Sequence, residues 1–348
     1  MRKIKIFDKK YTELSGCIHN HTKYSWDSQE EIETVIKAAL STGLDYVTIN
    51  DHLTLQAKED KYLQNLKKPI VIVGAEINDR DNKNHYLVYK TDKILKGKSA
   101  SEYTDFYTKE NAYRFAAHPI EKRLSSEFNT YEWTNLNNTK FDGLEIWNAV
   151  SDWLGKMIPK LNGLFLVMFP NLFITGADKE ILKYWDKLNR EGKKCSAIGS
   201  TDAHTIYLKK FGLNFKFLKH KYMFQTIRTN VWVPDTKAIN KISILEALKN
   251  GNSYIYNYKR GIPYKFLAGI KGDKIKAIPG DSISFTKNLK FYYHLPKIAK
   301  VLLFRDGELV YKAHNDKGAV PVKRKGNYRL QIHKWGKGWI YTNNIYVE

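Results

Sequence analysis

Two short motifs, His19-Asn20-His21 and Asp202-Ala203-His204, bracket a series of residues able to bind metal. Between them lie Asp27, Asp51-His52, Glu76 and His118. Imidazole and carboxylate together suit Zn, Mn or Fe, and the donor set does not choose among the three. Cys17, His19 and His21 alternate, so a strand points both histidines to one face, where they chelate one ion. Neither motif is specific by itself. The joint pattern is: eight ligand-type residues follow apolar runs, and five of the ten histidines are among them. Divalent ions held this way activate water for hydrolysis.

Such donors need elements that bring them to one place. The runs at 15–21, 46–50, 70–73, 112–117, 144–147 and 197–199 are apolar and β-branched, as in buried parallel strands. Each leads into a His, Asp, Glu or Asn. HYLVY, beginning at His85, is a further strand. Ser28 and Glu31 fit a capping box for a helix carrying the stripe Ile32, Val35, Ile36, Ala39 and Leu40, which Gly43 ends. Helices are also expected over 181–192 and 242–251. This βαβα order over some 250 residues argues an α/β barrel with its site at one mouth. Beyond residue 258 the strands shorten, and Arg305-Asp306-Gly307 reads as a hairpin turn. The expected division is 1–258 for the barrel and 259–348 for a small antiparallel β-sandwich.

The 348 residues allow a large core and two domains. The most apolar stretch, 161–174, is interrupted by Gly163, Pro170 and Asn171, so no membrane span and no membrane partner are expected. The first residues lack the apolar core of a secretory signal. Cys17 and Cys195 are the only cysteines, which suits free thiols in a reducing, cytoplasmic setting. The formal charge is +22, but only ten of the 58 basic residues are Arg, and the lysines are spread along the chain. That favours a small anionic substrate over nucleic acid, which Arg reads bidentately.

The segments CIHNHTKYSWDS, GLDYVTINDH, IVGAEI, AAHP, DGLEIWN and IGSTDAH, in this order, resemble the PHP family, named for the polymerase and histidinol phosphatase domain. The resemblance is nearest to bacterial PHP metallohydrolases with a C-terminal β domain, related to carbaryl-hydrolase-like proteins. GNYRLQIHKWGKGWIYTNNIYV resembles the end of that subgroup. It implies a distorted, TIM-like, seven-stranded β/α barrel with two or three divalent ions. By the same resemblance His19, His21, Glu76 and Asp202 hold a first ion. Glu76 bridges to a second, held also by His118, and Asp27, His52 and His204 hold a third. Asp51 orients a neighbouring ligand. The family's further histidine between the positions of His118 and Asp202 is missing, since no His occurs from 119 to 203. Water, Glu145, Asn148 or His85 then completes the second site.

The expected activity is metal-dependent hydrolysis, foremost of a small phosphate mono- or diester. Two ions about 3.5–4 Å apart share a hydroxide for this attack. Asp202, His204 and Asp51 are the candidate catalytic groups. His85, Glu145, Asn148 and Arg228 are candidate substrate contacts; a carboxylate at Glu145 in a buried strand is costly unless paired, which turns it toward the site. Alternatives are hydrolysis of a carbon ester, amide or carbamate, cleavage of DNA or RNA ends, and a non-catalytic metal-binding module.

Overall fold

The computed structural model describes residues 1–210 and 213–348. The chain is a mixed α/β fold followed by a second, β-rich part. Strand Lys9–Cys17 runs parallel to Tyr46–Ile49, and that strand parallel to Ile70–Val73. Ala75–Ile77, Tyr86–Tyr89, Tyr113–Ala116, Gly143–Asn148 and Ser196–Ser200 form a second sheet in that order. Two isolated bridges link the sheets, Asn20 to Ala203 just beyond their strands and His52 to Glu76 within Ala75–Ile77.

The wall around the site is mixed α/β, with one irregularity in strand direction. Its strands belong to two sheets, and Tyr86–Tyr89 is antiparallel to both its neighbours. The physical reason is the connection: a short loop joins Ala75–Ile77 to Tyr86–Tyr89, and only a longer crossover brings a strand back parallel. The remaining pairs in that sheet are parallel.

Helix Ile32–Ser41 buries Ile32, Val35, Ile36, Ala38 and Ala39, and Gly43 follows it with φ +70°. The expected capping box does not form. Glu31 is the N-cap without a side-chain bond, and the Ser28 hydroxyl instead donates to the His21 carbonyl at 3.3 Å. The helix loses one cap contact, and the loop after His21 gains one. Helices Lys179–Arg190 and Lys241–Asn250 match the other expectations, the second ending at Gly251 in the left-handed region. Among the described residues no helix is long and apolar enough to cross a membrane. Both cysteines are buried and free.

The β-rich part is antiparallel apart from Ser282–Ile283, which runs parallel to Ile345–Val347, and Asp306-Gly307 makes the expected two-residue turn, with positive φ at both residues. Its sheet continues that of the first part: Tyr254–Tyr256 pair with Ile340–Thr342 across the 258/259 boundary. Trp232, Tyr254 and Tyr256 pack in one cluster with Phe291, Leu330 and Trp339. A second tie is ionic. Arg329 donates from Nε and Nη2 to the two Asp186 oxygens at 2.7 and 2.6 Å, between the rings of Trp185 and Phe304.

Asp186→Ala leaves the Arg329 guanidinium buried and uncompensated. It is expected to cost about 3–5 kcal/mol, read as a lower urea midpoint. An unchanged midpoint would mean that the pair contributes nothing to stability.

Candidate metal centre

The strands end where the donors begin. Lys9–Cys17 leads to His19 and His21, Tyr46–Ile49 to Asp51 and His52, and Ser196–Ser200 to Asp202 and His204. Glu76 and Glu145 lie within their strands, and His118 follows Tyr113–Ala116 closely. Backbone bonds join these ends: the His21 N–H donates to the Ala203 carbonyl and the Ala203 N–H to the His19 carbonyl, each at 3.2 Å. His19, His118 and Asp202 have φ of +65°, +26° and +52°. Backbone of this kind costs about 1–3 kcal/mol per residue and persists where its surroundings fix it.

Three groups of donors meet in one buried space. The Glu76 Oε2 lies 3.0 Å from His19 Nε2 and 3.3 Å from His21 Nε2, and Asp202 Oδ1 lies 3.4 Å from both nitrogens. The other Glu76 oxygen faces His118 Nε2 at 3.3 Å and His85 Nδ1 at 2.7 Å. Asp27 Oδ2 faces His52 Nε2 at 3.2 Å and His204 Nε2 at 2.9 Å. All eight residues expected to ligate are thus gathered, and His85 joins them.

Glu145 and Asn148 are also at the site, in defined positions. Glu145 Oε1 accepts from His19 Nδ1 at 2.8 Å, and its Oε2 accepts from the His118 backbone N–H at 2.9 Å. Asn148 donates its amide to Glu145 and to Asp202 at 3.0 and 3.2 Å, and its oxygen caps the helix Ala149–Leu154. Glu145 therefore orients donors, with both oxygens already engaged. Asp51 departs from the expectation that it orients a ligand side chain. Its oxygens accept the Thr22 backbone N–H at 2.5 Å and hydroxyl at 2.8 Å, so it fixes the loop after His21. Arg228 departs further: its guanidinium is buried and donates to the Phe224 and Thr42 carbonyls at 2.7 and 2.8 Å. Packed against the Tyr258 ring, it serves the framework and is not a phosphate contact.

Several site residues escaped the sequence reading. Ser25 donates to Asp27 at 2.6 Å and accepts from the His52 backbone N–H at 3.1 Å. Trp26, 68 % exposed, stacks on His52 at the rim. Glu121 lies 3.7 Å from His118 Nδ1 and holds Arg123 at 2.9 Å. The acid three residues after His118 was a visible signal for this. His220 donates from its ring to the His21 carbonyl at 3.0 Å, and no local pattern marks it.

The electrostatics follow from packing acids against imidazoles away from water. Burial alone would lower the His19 pKa, yet the Asp202, Glu76 and Glu145 carboxylates hold it well above the ordinary value. Burial is likewise outweighed at His21, raised to about 10 with Asp27 as the leading charge, and at His118, raised to about 9 beside Glu121. Burial would raise Glu76 and Asp202, but the histidines, His19 foremost, hold both well below the carboxylate range. Burial raises Asp51.

These residues fit divalent metal ions. Four groups of three or four donor atoms lie within 4.8 Å of one another: His21, Asp27, His52 and His204; His19, His21 and Glu76; His19, His118 and Asp202; His52, Glu76 and His85. The buried His21 Nε2, 3.3 Å from Glu76 Oε2, has no hydrogen-bond partner. Glu145 beside Nδ1 favours a proton there, so that once His19 loses its second proton the Nε2 lone pair faces inward, the arrangement found behind metal-bound imidazoles.

The family model described as the PHP domain matches residues 18–144. An uncharacterized protein of Methanocaldococcus jannaschii is 30% identical over 150 residues, covering 39% of this chain and 82% of that protein. Among solved structures, a two-domain protein of Bacteroides vulgatus containing a predicted PHP-like metal-dependent phosphoesterase aligns over 99% of this chain and 98% of its own, at 15% identity and TM-score 0.45. An endonuclease Q bound to a duplex with an abasic lesion aligns over 70% of this chain and 58% of its own, at 14% identity and TM-score 0.40.

Metal entering this cluster displaces protons held by the raised histidines. Binding of Mn or Zn to chelated protein is therefore expected to release protons and to tighten as pH rises. Calorimetry in buffers of different ionisation enthalpy reads this directly. Heats independent of buffer would contradict it.

Proposed function

This chain belongs to the PHP domain family, and from that premise we propose that it is a metal-dependent hydrolase of a small phosphate mono- or diester. The observation that carries the proposal is the convergence of imidazole and carboxylate donors around Glu76, mostly buried and adjoining a cavity lined by His118, Glu145 and Asn148. We assign His19, His21, Glu76 and Asp202 to one ion, Glu76 and His118 to a second, and Asp27, His52 and His204 to a third. His85, beside Glu76 in this cluster, supplies the imidazole that the 119–203 stretch lacks.

Bound ions supply Lewis acidity and make water acidic enough to ionise near neutral pH. The protein's own groups do the rest. Glu145 keeps the proton on His19 Nδ1 and so keeps Nε2 aimed inward. Asn148 holds the Glu145 and Asp202 carboxylates in fixed relation. Proton delivery to the leaving oxygen is assigned to His204 or to a water at the site, since the histidines, His19 foremost, hold the Asp202 carboxylate ionised. The lysine surplus gives a positive field that raises the encounter rate with phosphate-bearing ligands. We assign the chemistry to 1–258 and a supporting role to 259–348.

The test is hydrolysis of monoester and diester chromogens by chelated protein, then after return of Mn, Zn or Fe. Turnover is expected only with metal. Asp202→Ala and His19→Ala are expected to abolish it with the far-ultraviolet spectrum unchanged. Glu145→Gln is expected to lose about 10–100-fold in activity or metal affinity. Full activity in the Asp202 variant would remove the proposed mechanism.

A further inference from the structure

Leu161, Leu164, Phe165, Met168, Phe169 and Leu172 recur at the spacing of one helical face. That pattern ordinarily marks a face buried in the core. Here the same six side chains are 45–78 % exposed. The backbone follows the pattern over a short π-helical turn at Pro159–Gly163, a helix at Leu164–Met168 and a 3-10 turn at Pro170–Leu172. The opposite side holds the segment in place: Leu166 is fully buried, and its carbonyl accepts from the Trp153 indole at 3.0 Å. The stripe faces outward on a segment that is itself anchored.

A second element lies beside it. The hairpin joining Gly326–Lys334 to Lys337–Thr342 turns at Trp335-Gly336, and Trp335 is 78 % exposed. Lys337 Nζ donates to the Leu172 carbonyl at 2.8 Å, and the Gly338 N–H donates to the Thr175 carbonyl at 2.8 Å. An exposed Trp flanked by Lys334 and Lys337 therefore adjoins the exposed stripe. Asp152 lies at the stem of the segment, paired with Lys156, but the two exposed stretches themselves carry no acid. No acidic residue occurs between Asp152 and Asp178, or between Asp316 and Glu348, while Lys160 lies in the segment itself.

We propose that this face docks on an anionic lipid surface, with the stripe and Trp335 entering the interfacial layer and Lys160, Lys334 and Lys337 meeting the headgroups. A large apolar patch on a soluble face marks an interaction site. Apolar side chains backed by lysine, with a Trp at the water boundary, suit contact in the plane of a membrane. A second copy fits less well, because a twofold contact sets the same lysines against one another. The contact is peripheral, distinct from the membrane span that the sequence argues against. Gly155, Lys156 and Gly176, at the two stems of the segment, also wall the cavity of about 260 Å³ that reaches His118. Docking would hold that cavity beside the lipid.

The experiment is sedimentation of the full chain with vesicles of phosphatidylcholine alone or mixed equally with phosphatidylglycerol. Binding is expected to the mixed vesicles, weaker to phosphatidylcholine, and to fall as salt screens the lysines. The double variant Phe165→Ser with Phe169→Ser changes only exposed side chains and is expected to lose on the order of tenfold in vesicle affinity, with its thermal midpoint retained. Trp335→Phe should remove a blue-shifted part of the emission seen when vesicles are added. The proposal is overturned by absence of sedimentation with either vesicle, or by equal binding of the double variant. It is equally overturned by a wild-type dimer that the double variant dissolves without any vesicle binding.

Discussion

One carboxylate organises the interior of this protein. Glu76 is buried, and its two oxygens face five imidazoles, those of His19, His21, His52, His85 and His118, at 2.7 to 3.3 Å. A lone buried carboxylate would be strongly unfavourable, and so would a lone buried imidazolium at His19. Together they compensate one another, provided that residues from distant parts of the sequence arrive at one point. Much of the fold answers to that requirement. The strands end around Glu76, and the bridges His52 to Glu76 and Asn20 to Ala203 join the two sheets at the depth of the donors.

Around this centre sits a layer of fixed polar groups that determines which nitrogen of each ring faces inward. Glu145 directs His19, the Asp202 carbonyl accepts from His204 Nδ1 at 2.9 Å, and Ser25 approaches His21 Nδ1 at 3.2 Å. Asp51 and Ser28 act one step further out, on the chain that carries His21. Removing such a group leaves the donors present but misdirected. That is why the array depends on residues that offer it no lone pair.

Most of the donors were legible in the sequence because they follow a short apolar run, and a strand delivers its next residues to a predictable end; Asp27 follows no such run. Glu145 was legible for a different reason, the cost of an acid in a buried strand. What stayed hidden was partner choice. Ser28 has the spacing of a helix cap, yet the carbonyl of His21 competes for its hydroxyl. Arg228 precedes a late strand as a phosphate contact might, but its partners are carbonyls contributed by Thr42 and Phe224, one of them far away in sequence. The continuity of the sheet from Tyr254–Tyr256 to Ile340–Thr342 is likewise long-range pairing that no local pattern encodes. Glu121 and His220 act through side-chain geometry alone.

The left-handed backbone at His19, His118 and Asp202 limits how this centre can change. Histidine and aspartate belong to the few side chains that tolerate such φ values with some frequency. A glycine would relax the chain but offer no donor. A branched or longer ligand type would keep a donor and meet a backbone that resists it. Exchange of one ligand for another, the usual route by which a site drifts from one metal to the next, is therefore obstructed at three positions by the main chain. The donor set is guarded by conformation as well as by side-chain chemistry.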